Sequence, residues 1–250
     1  MRLEIKPSAL IAVFMRSFLV QGSWNYHTML GLGFAFAMLP GLRSLYEDNE
    51  DMLEESLKRH AEHFNAHPYL SGIALGASLR LEAEGAGANT VRSFKTAVRG
   101  PLGSLGDSLV WATWLPGVSV LALALYWLGL PGSMSVLVFL LIFNAGHLGL
   151  RIWGFRVGCS EGRDVGRKLQ AADLSGLTSR LRGVAALLLG LLVGALLGAE
   201  GGLVSAGLLW VLLSAAGFLA GLVAGHYAWR PAAASVVLSI VLLTTWGLLR

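Results

Sequence analysis

Charge is scarce in this 250-residue chain. Asp, Glu, Lys and Arg make up 14% of it, against about 25% in a soluble domain, too few to cover a water-facing surface. Cysteine is nearly absent too: the single Cys159 excludes an internal disulfide framework. No Gly-Lys-Ser/Thr follows the glycine-rich stretch near residue 100, which excludes a phosphate-binding P-loop there. No nucleophile sits beside a base in a supporting context, so no catalytic residue is assigned. What is abundant is apolar: 55% of residues are hydrophobic and the mean hydropathy is +0.64. These figures exclude disorder and indicate an integral membrane protein of one domain or two tightly linked ones. The net charge of +4 does not argue for nucleic acid, because the basic residues flank apolar runs, as cytoplasmic loops of membrane proteins do.

Residues 108–150 form a run of 43 without a formal charge. A bilayer core needs about 20 helical residues per crossing, so the run holds two spans, with Leu130-Pro131-Gly132-Ser133 as the turn between them. A second apolar block divides into spans at 183–199, 203–225 and 232–249, about five in all. Basic residues cluster in 92–99 and 151–182 and are missing from the links at 130–133 and 200–202. The positive-inside rule then puts 92–107, 151–182 and 226–231 in the cytoplasm.

Arg16 cuts the first apolar stretch and no A-x-A site follows, so a cleaved signal is not expected. Residues 8–20 read instead as an amphipathic helix on or in the bilayer surface. Met29–Pro40 and Tyr69–Leu81 are apolar but short, fitting re-entrant segments or buried helices of a lobe. Between them, 49–65 reads as an amphipathic helix capped by Asp48 or Asn49 and ended by Pro68. Its apolar face is Met52, Leu53, Leu57, Ala61 and Phe64, and Glu54–Lys58 and Glu55–Arg59 are i,i+4 pairs.

Four polar features are candidates for chemistry. Gly100–Ser108 holds three glycines and Pro101 and reads as a tight loop. Asp107 at the edge of the uncharged run is either a ligand-binding group or a helix cap. Gln21-Gly22-Ser23-Trp24-Asn25-Tyr26 combines amides with aromatics, a mixture suited to sugar, although composition alone favours an interfacial belt. His60, His63 and His67 share a helical spacing, yet no acidic or thiol partner accompanies them, so no metal is assigned. Asn144 and His147 inside the apolar run read as interhelical hydrogen-bonders.

Taken in order, these pieces resemble one family. Ser23-Trp24-Asn25-Tyr26, Gly31-Leu32-Gly33-Phe34 and Met38-Leu39-Pro40 are similar to the opening of the IID component of mannose/fructose/sorbose-type phosphotransferase system (PTS) permeases. Arg59-His60, Phe64-Asn65 and His67-Pro68-Tyr69 resemble its R-H-x-x-F-F-N-x-x-P-[FY] segment. Gly100-Pro101-Leu102, Gly106-Asp107-Ser108 and Trp111 resemble its G-P-L-A-G-x-G-D loop. Phe143-Asn144, Arg151, Gly154, Gly158 and Gly162 continue the series.

The resemblance implies an all-α polytopic membrane fold with re-entrant and amphipathic N-terminal helices, an inverted counterpart of the IIC subunit. The core would be 1–182 and the C-terminal membrane helices 183–250. It implies a bacterial cytoplasmic (inner) membrane location and an obligate IIC partner, in a trimer of IIC–IID heterodimers. IIA and IIB would phosphorylate the arriving hexose-type sugar, and IID itself would carry no phosphotransfer residue and no cofactor. The implied sugar-binding residues are Gln21, Trp24, Asn25, Asn65, Asp107 and Ser108. Two departures stand out. His27-Thr28 replaces the usual Glu-Arg, which leaves open a non-transporting relative with a sensing or PTS-assembly role. Glu200-Gly201-Gly202 replaces a polar outer insertion common in the family.

Overall fold

A computed structural model describes residues 5–199, most of them in a compact unit that ends at Leu188. The described elements of that unit are helical, apart from isolated bridges at Asn25, Met29 and Phe64. Helix α1 runs Pro7–Arg16, with Pro7 in the first turn, where its missing N–H costs nothing. A short 3-10 turn, Ser17–Leu19, extends it. Val13, Ser17 and Val20 face inward while Ile11, Met15 and Leu19 are exposed, the two-sided helix expected of 8–20.

Helix α2, Gly31–Leu45, passes through Pro40 rather than stopping there, and buries Phe34, Met38 and Leu42 completely. Gly33 lies against the Val20 carbonyl so closely that no Cβ could fit. Helix α3, Glu50–Ala61, is capped by the Asn49 side chain, which accepts from the Met52 N–H at 3.0 Å. It is shorter than the expected 49–65 and ends before Pro68. Its buried face is also different: Ser56, Arg59 and His60 point inward, Leu53 and Leu57 are half-buried and Met52 is exposed. A polar network centred on Glu82 outweighs the apolar stripe. Glu54–Lys58 pairs as expected, on the surface, whereas Arg59 turns away from Glu55.

Helix α4, Ser71–Ala83, is buried on every side except at Arg80. It has no amphipathic stripe because it is the centre of the lobe. Its main neighbour is α7, Gly132–Glu161. The two meet through small residues: Gly72 and Gly76 on one helix, Gly154 and Gly158 on the other. A Cβ on Gly76 would stand 2.6 Å from the Phe155 carbonyl and 2.7 Å from the Cys159 nitrogen, and one on Gly158 would overlap the Ile73 carbonyl. This is the small-xxx-small contact of membrane helices, in which backbones approach without intervening side chains.

At 1.5 Å per residue α7 is about 45 Å long, more than a bilayer core. Its two halves differ accordingly. Val136, Leu137, Leu140 and Leu141 are exposed near its start, while Gly154, Phe155, Val157 and Gly158 are buried in the lobe near its end.

Residues 88–127 form one continuous helical stretch: α5 (Ala88–Gly106), a π-helical segment (Asp107–Trp114) and α6 (Leu115–Trp127). The expected loop over Gly100–Ser108 is therefore helix, with Pro101 inside it. Proline and glycine were misleading there because Pro101 costs one main-chain bond in a long, well-packed helix. The turn into α7 falls at 128–131, with Gly129 at φ 98°. Beyond α7 lie a 3-10 turn (Gly162–Asp164), α8 (Val165–Ala171) and α9 (Leu174–Ala199).

Among the described residues, two stretches are long and apolar enough to cross a membrane, Ala88–Trp127 and Gly132–Val193. The spans expected at 203–225 and 232–249 lie outside the described residues. So do the links at 200–202 and 226–231.

Candidate functional site

The lobe is anchored by one buried carboxylate. Glu82, near the end of α4, accepts from Arg59 Nε at 2.8 Å and Arg59 Nη2 at 2.7 Å. It also accepts from His60 Nε2 at 2.8 Å and from the Tyr46 hydroxyl at 2.6 Å. Arg59, His60 and Glu82 are all under 5% exposed. Lys95 of α5 then donates to the Arg59 and His60 carbonyls at 2.8 and 3.1 Å, satisfying the last turn of α3.

Burial alone would raise the Glu82 pKa, but Arg59, His60 and Tyr46 together hold it below the ordinary carboxylate range. Burial drives His60 down to about 4, against the opposing pull of Glu82. His60 therefore stays neutral in the fold, while in the unfolded chain it takes a proton near pH 6.5. Its contribution is fully present above pH 6.5 and is lost as pH falls toward 4. Thermal unfolding in detergent should accordingly show stability dropping across that window, and His60→Asn should flatten the slope. An unchanged slope in the variant would contradict this placement of the proton.

The expected sugar-site residues lie along a connected strip. Asn25 shapes its own turn: its Oδ1 accepts from the His27 and Thr28 N–H groups, and its Nδ2 donates to Thr28 Oγ1 at 2.8 Å. Thr28 thus belongs to the turn. Gln21 is exposed, as is Trp24, which packs its ring edge-on against Tyr26 with centroids 4.9 Å apart. Met29 holds φ 54°, a conformation costing about 1–2 kcal/mol outside glycine. Paired backbone bonds to Asn25 sustain it.

Leu30 and Thr28 bond to the Phe64 backbone, which ties this loop to the irregular segment 62–67 that precedes the turn at 68–70. Asn65 is exposed on that segment. Two residues on, His67 presses its ring against Gly106, where a Cβ would collide with it. Asp107 and Ser108 follow directly. The segment that carries Asn65 therefore packs on the helix that carries Asp107 and Ser108, and the Gln21–Asn25 loop joins that segment through Phe64. Ser108 Oγ accepts from Arg182 at 3.3 Å. Asp107 is exposed, and its carboxylate makes no hydrogen bond or ion pair among the described residues. It is not a helix cap: its N–H continues the helix to the Gly103 and Ser104 carbonyls. It opens the π segment, whose register shows in the Thr113 hydroxyl donating to the Ser108 carbonyl at 2.8 Å. Such segments are frequent at functional sites.

A cluster that sequence reasoning missed backs this strip. Tyr69 stacks on His147 with centroids 3.9 Å apart, and Trp111 packs against both His67 and Tyr69. Arg151 Nε donates to His147 Nε2 at 2.7 Å, its Nη1 donates to the Ser17 carbonyl at 3.0 Å, and its guanidinium lies over Phe18 and Tyr69. The interhelical hydrogen bonds expected of Asn144 and His147 are not the ones made among the described residues: His147 bonds to Arg151 and Asn144 to the Leu140 carbonyl, both within α7, and His147 reaches out of its helix only through the ring stack on Tyr69. His67 Nδ1 accepts from the Tyr69 N–H at 3.2 Å, which leaves its buried Nε2 as a donor without a partner among the described residues. Burial, offset in part by Asp107, lowers His67 to about 4. The spacing of His60, His63 and His67 does not survive as one face. His60 is buried on Glu82, His63 meets Arg99 at the surface, and His67 lies past the helix end.

Residues 4–225 match the family model described as PTS system mannose/fructose/sorbose family IID component. The mannose-specific EIID component of Escherichia coli is 34% identical over 181 residues, 70% of this chain. That match spans 63% of the relative's own length. The sorbose-specific EIID component of Lacticaseibacillus casei is 30% identical over 200 residues, 77% of this chain and 69% of the relative.

Among solved structures, a chain of the mannose transporter ManYZ, determined in complex with a microcin, aligns with a TM-score of 0.60 at 26% identity, covering 98% of this chain and 97% of that one. A second structure, described as a membrane protein, aligns with a TM-score of 0.67 at 33% identity, over 76% and 71%. The chain's all-α, membrane-associated fold resembles both. The chain belongs to the IID component family of the mannose/fructose/sorbose-type phosphotransferase system.

Proposed function

We propose that this chain is the membrane subunit that, with a IIC partner, binds a hexose-type sugar and moves it inward for phosphorylation by IIB and IIA. The observation that carries the reading is the family match over residues 4–225. The geometry supports it: Asp107 presents an exposed carboxylate on a π-helical segment, and the buried His67 Nε2 beside it has a donor to spare. Asp107 and Ser108 would accept and exchange hydrogen bonds with sugar hydroxyls, charge-assisted at the carboxylate. Asn65 and Gln21 would contribute amides from the facing segments, and Trp24 an apolar ring face. Asn25 would act indirectly, by holding the loop that carries Gln21 and Trp24. No residue of this chain relays phosphate in this reading.

The finer architecture follows the same line. About five spans would cross a bacterial inner membrane, with the core to residue 182 and C-terminal helices from 183. Residues 92–107 and 151–182 would face the cytoplasm, and α2 and α4 would sit as re-entrant elements covered by protein. IIC would cover the outward apolar surface, in a trimer of heterodimers. The replacement of Glu-Arg by His27-Thr28 gives the non-transporting reading no support from geometry, since both residues are absorbed into the Asn25 turn. Extraction in mild detergent tests the pairing. The chain should purify as a monodisperse species only with IIC, because its polar strip would otherwise face lipid. A monodisperse, folded chain obtained alone would contradict the reading.

A further inference from the structure

A second concavity lies away from the sugar strip. A cavity of about 680 Å³ opens between α5 and the segment joining α7 to α8, well within the range of small-molecule sites. Phe94, Val98, Pro101 and Leu169 form its apolar wall, while Ser93 and Arg163 supply polar groups. One cation and no carboxylate line it. The surrounding cations are engaged: Arg92 with Glu62, Arg167 with Asp164, Lys168 with Glu161 and Lys95 with backbone carbonyls. Arg163 has no such partner among the described residues.

Both walls belong to the basic stretches that flank the uncharged run beginning at Ser108. In the topology proposed above, on which this inference rests, 92–107 and 151–182 are cytoplasmic and the cavity lies at the inner edge of the bilayer. A zwitterionic headgroup would bring an ammonium into a cavity whose neighbouring carboxylates, Asp164 and Glu161, already face Arg167 and Lys168. An anionic headgroup with an attached acyl chain satisfies both halves of the cavity.

We infer that this cavity holds an anionic phospholipid, its phosphate on Arg163 and Ser93 and the start of its acyl chain along Phe94, Val98 and Leu169. The inference does not depend on the sugar site and uses none of its residues.

The test is native mass spectrometry of the full chain in its membrane complex, titrated in detergent with phosphatidylglycerol or phosphatidylcholine. One phosphatidylglycerol should bind in preference to phosphatidylcholine. Arg163→Gln should weaken phosphatidylglycerol about fivefold, the usual weight of one basic residue at a membrane surface, and leave phosphatidylcholine unchanged. Ala97→Trp, at an exposed residue on the rim, should reduce retention of both lipids by filling the cavity while leaving the fold intact. Inorganic phosphate at millimolar concentration should not displace the lipid. Equal retention of the two lipids, or phosphatidylglycerol binding untouched by both substitutions, would overturn the inference. So would displacement by phosphate, which would make this a site for a soluble anion. Lipid retention unchanged in Arg163→Gln with weakened association of soluble IIB would do the same, marking a protein-docking surface instead.

Discussion

Glu82→Ala should leave the chain largely unfolded in detergent. Glu82 accepts four hydrogen bonds from three side chains at a wholly buried position. Removing it strands the Arg59 guanidinium, itself about 4% exposed, with no counter-charge. Breaking a buried pair in this way costs about 3–5 kcal/mol, a large part of a typical folding free energy. The loss falls on the contact that ties α3 to α4 and positions the Lys95 ammonium on the end of α3. Glu82→Gln should be milder, because the amide still accepts from Arg59 while losing its charge. Fluorescence-detected size exclusion across a temperature ramp reads both variants. A melting temperature for Glu82→Ala within a degree or two of the parent would remove Glu82 from its anchoring role.

Gly158→Val should be nearly as damaging, for a steric reason. Even one methyl at 158 would overlap the Ile73 carbonyl and stand 2.9 Å from the Ala77 nitrogen, and a backbone atom cannot swing aside as a flexible side chain can. Forcing extra carbon into a packed contact costs about 1–3 kcal/mol, so Gly158→Ala should already destabilise by that amount and Gly158→Val should abolish folding. Gly149, on the same helix, has nothing within 4 Å of its Cβ direction, and Gly149→Ala should be neutral. The same melting experiment compares the three. Equal tolerance at 158 and 149 would mean that α4 and α7 do not meet face to face as described.

These two sites show what could be read in advance. The uncharged run at 108–150, the turn near 130 and the cap at Asn49 were legible because each is a local signal. The α4–α7 contact was also written in the chain, as Gly72-x-x-x-Gly76 and Gly154-x-x-x-Gly158, but the spacing gains meaning only when two such faces are seen to meet. The burial of α3 ran against its pattern. Its apolar stripe pointed to Leu53 and Leu57, yet Arg59 and His60 face inward because Glu82, more than 20 residues away, makes burial of a cation tolerable. No local periodicity carries that information. Gly100–Ser108 failed the other way: glycine and proline suggest a break, and a long helix flanked by α6 and the lobe absorbed them. The candidate site was legible as a set of motifs and not as an arrangement. The pairing of Thr28 and Leu30 with Phe64, and of His67 with Gly106, is a tertiary event between segments that are each irregular or small.

The central claim is that Asp107 binds sugar, and equilibrium sugar binding by the purified complex, normalised to folded protein, tests it most directly. Because the helix runs unbroken through Asp107, Asp107→Asn should fold and assemble as the parent does. It would lose charge assistance to sugar hydroxyls, weakening affinity by about 1–2 kcal/mol, a five- to thirtyfold change. Asp107→Ala should bind more weakly still, having no acceptor at all. Parent-like affinity in both variants would contradict the account and take Asp107 out of the site.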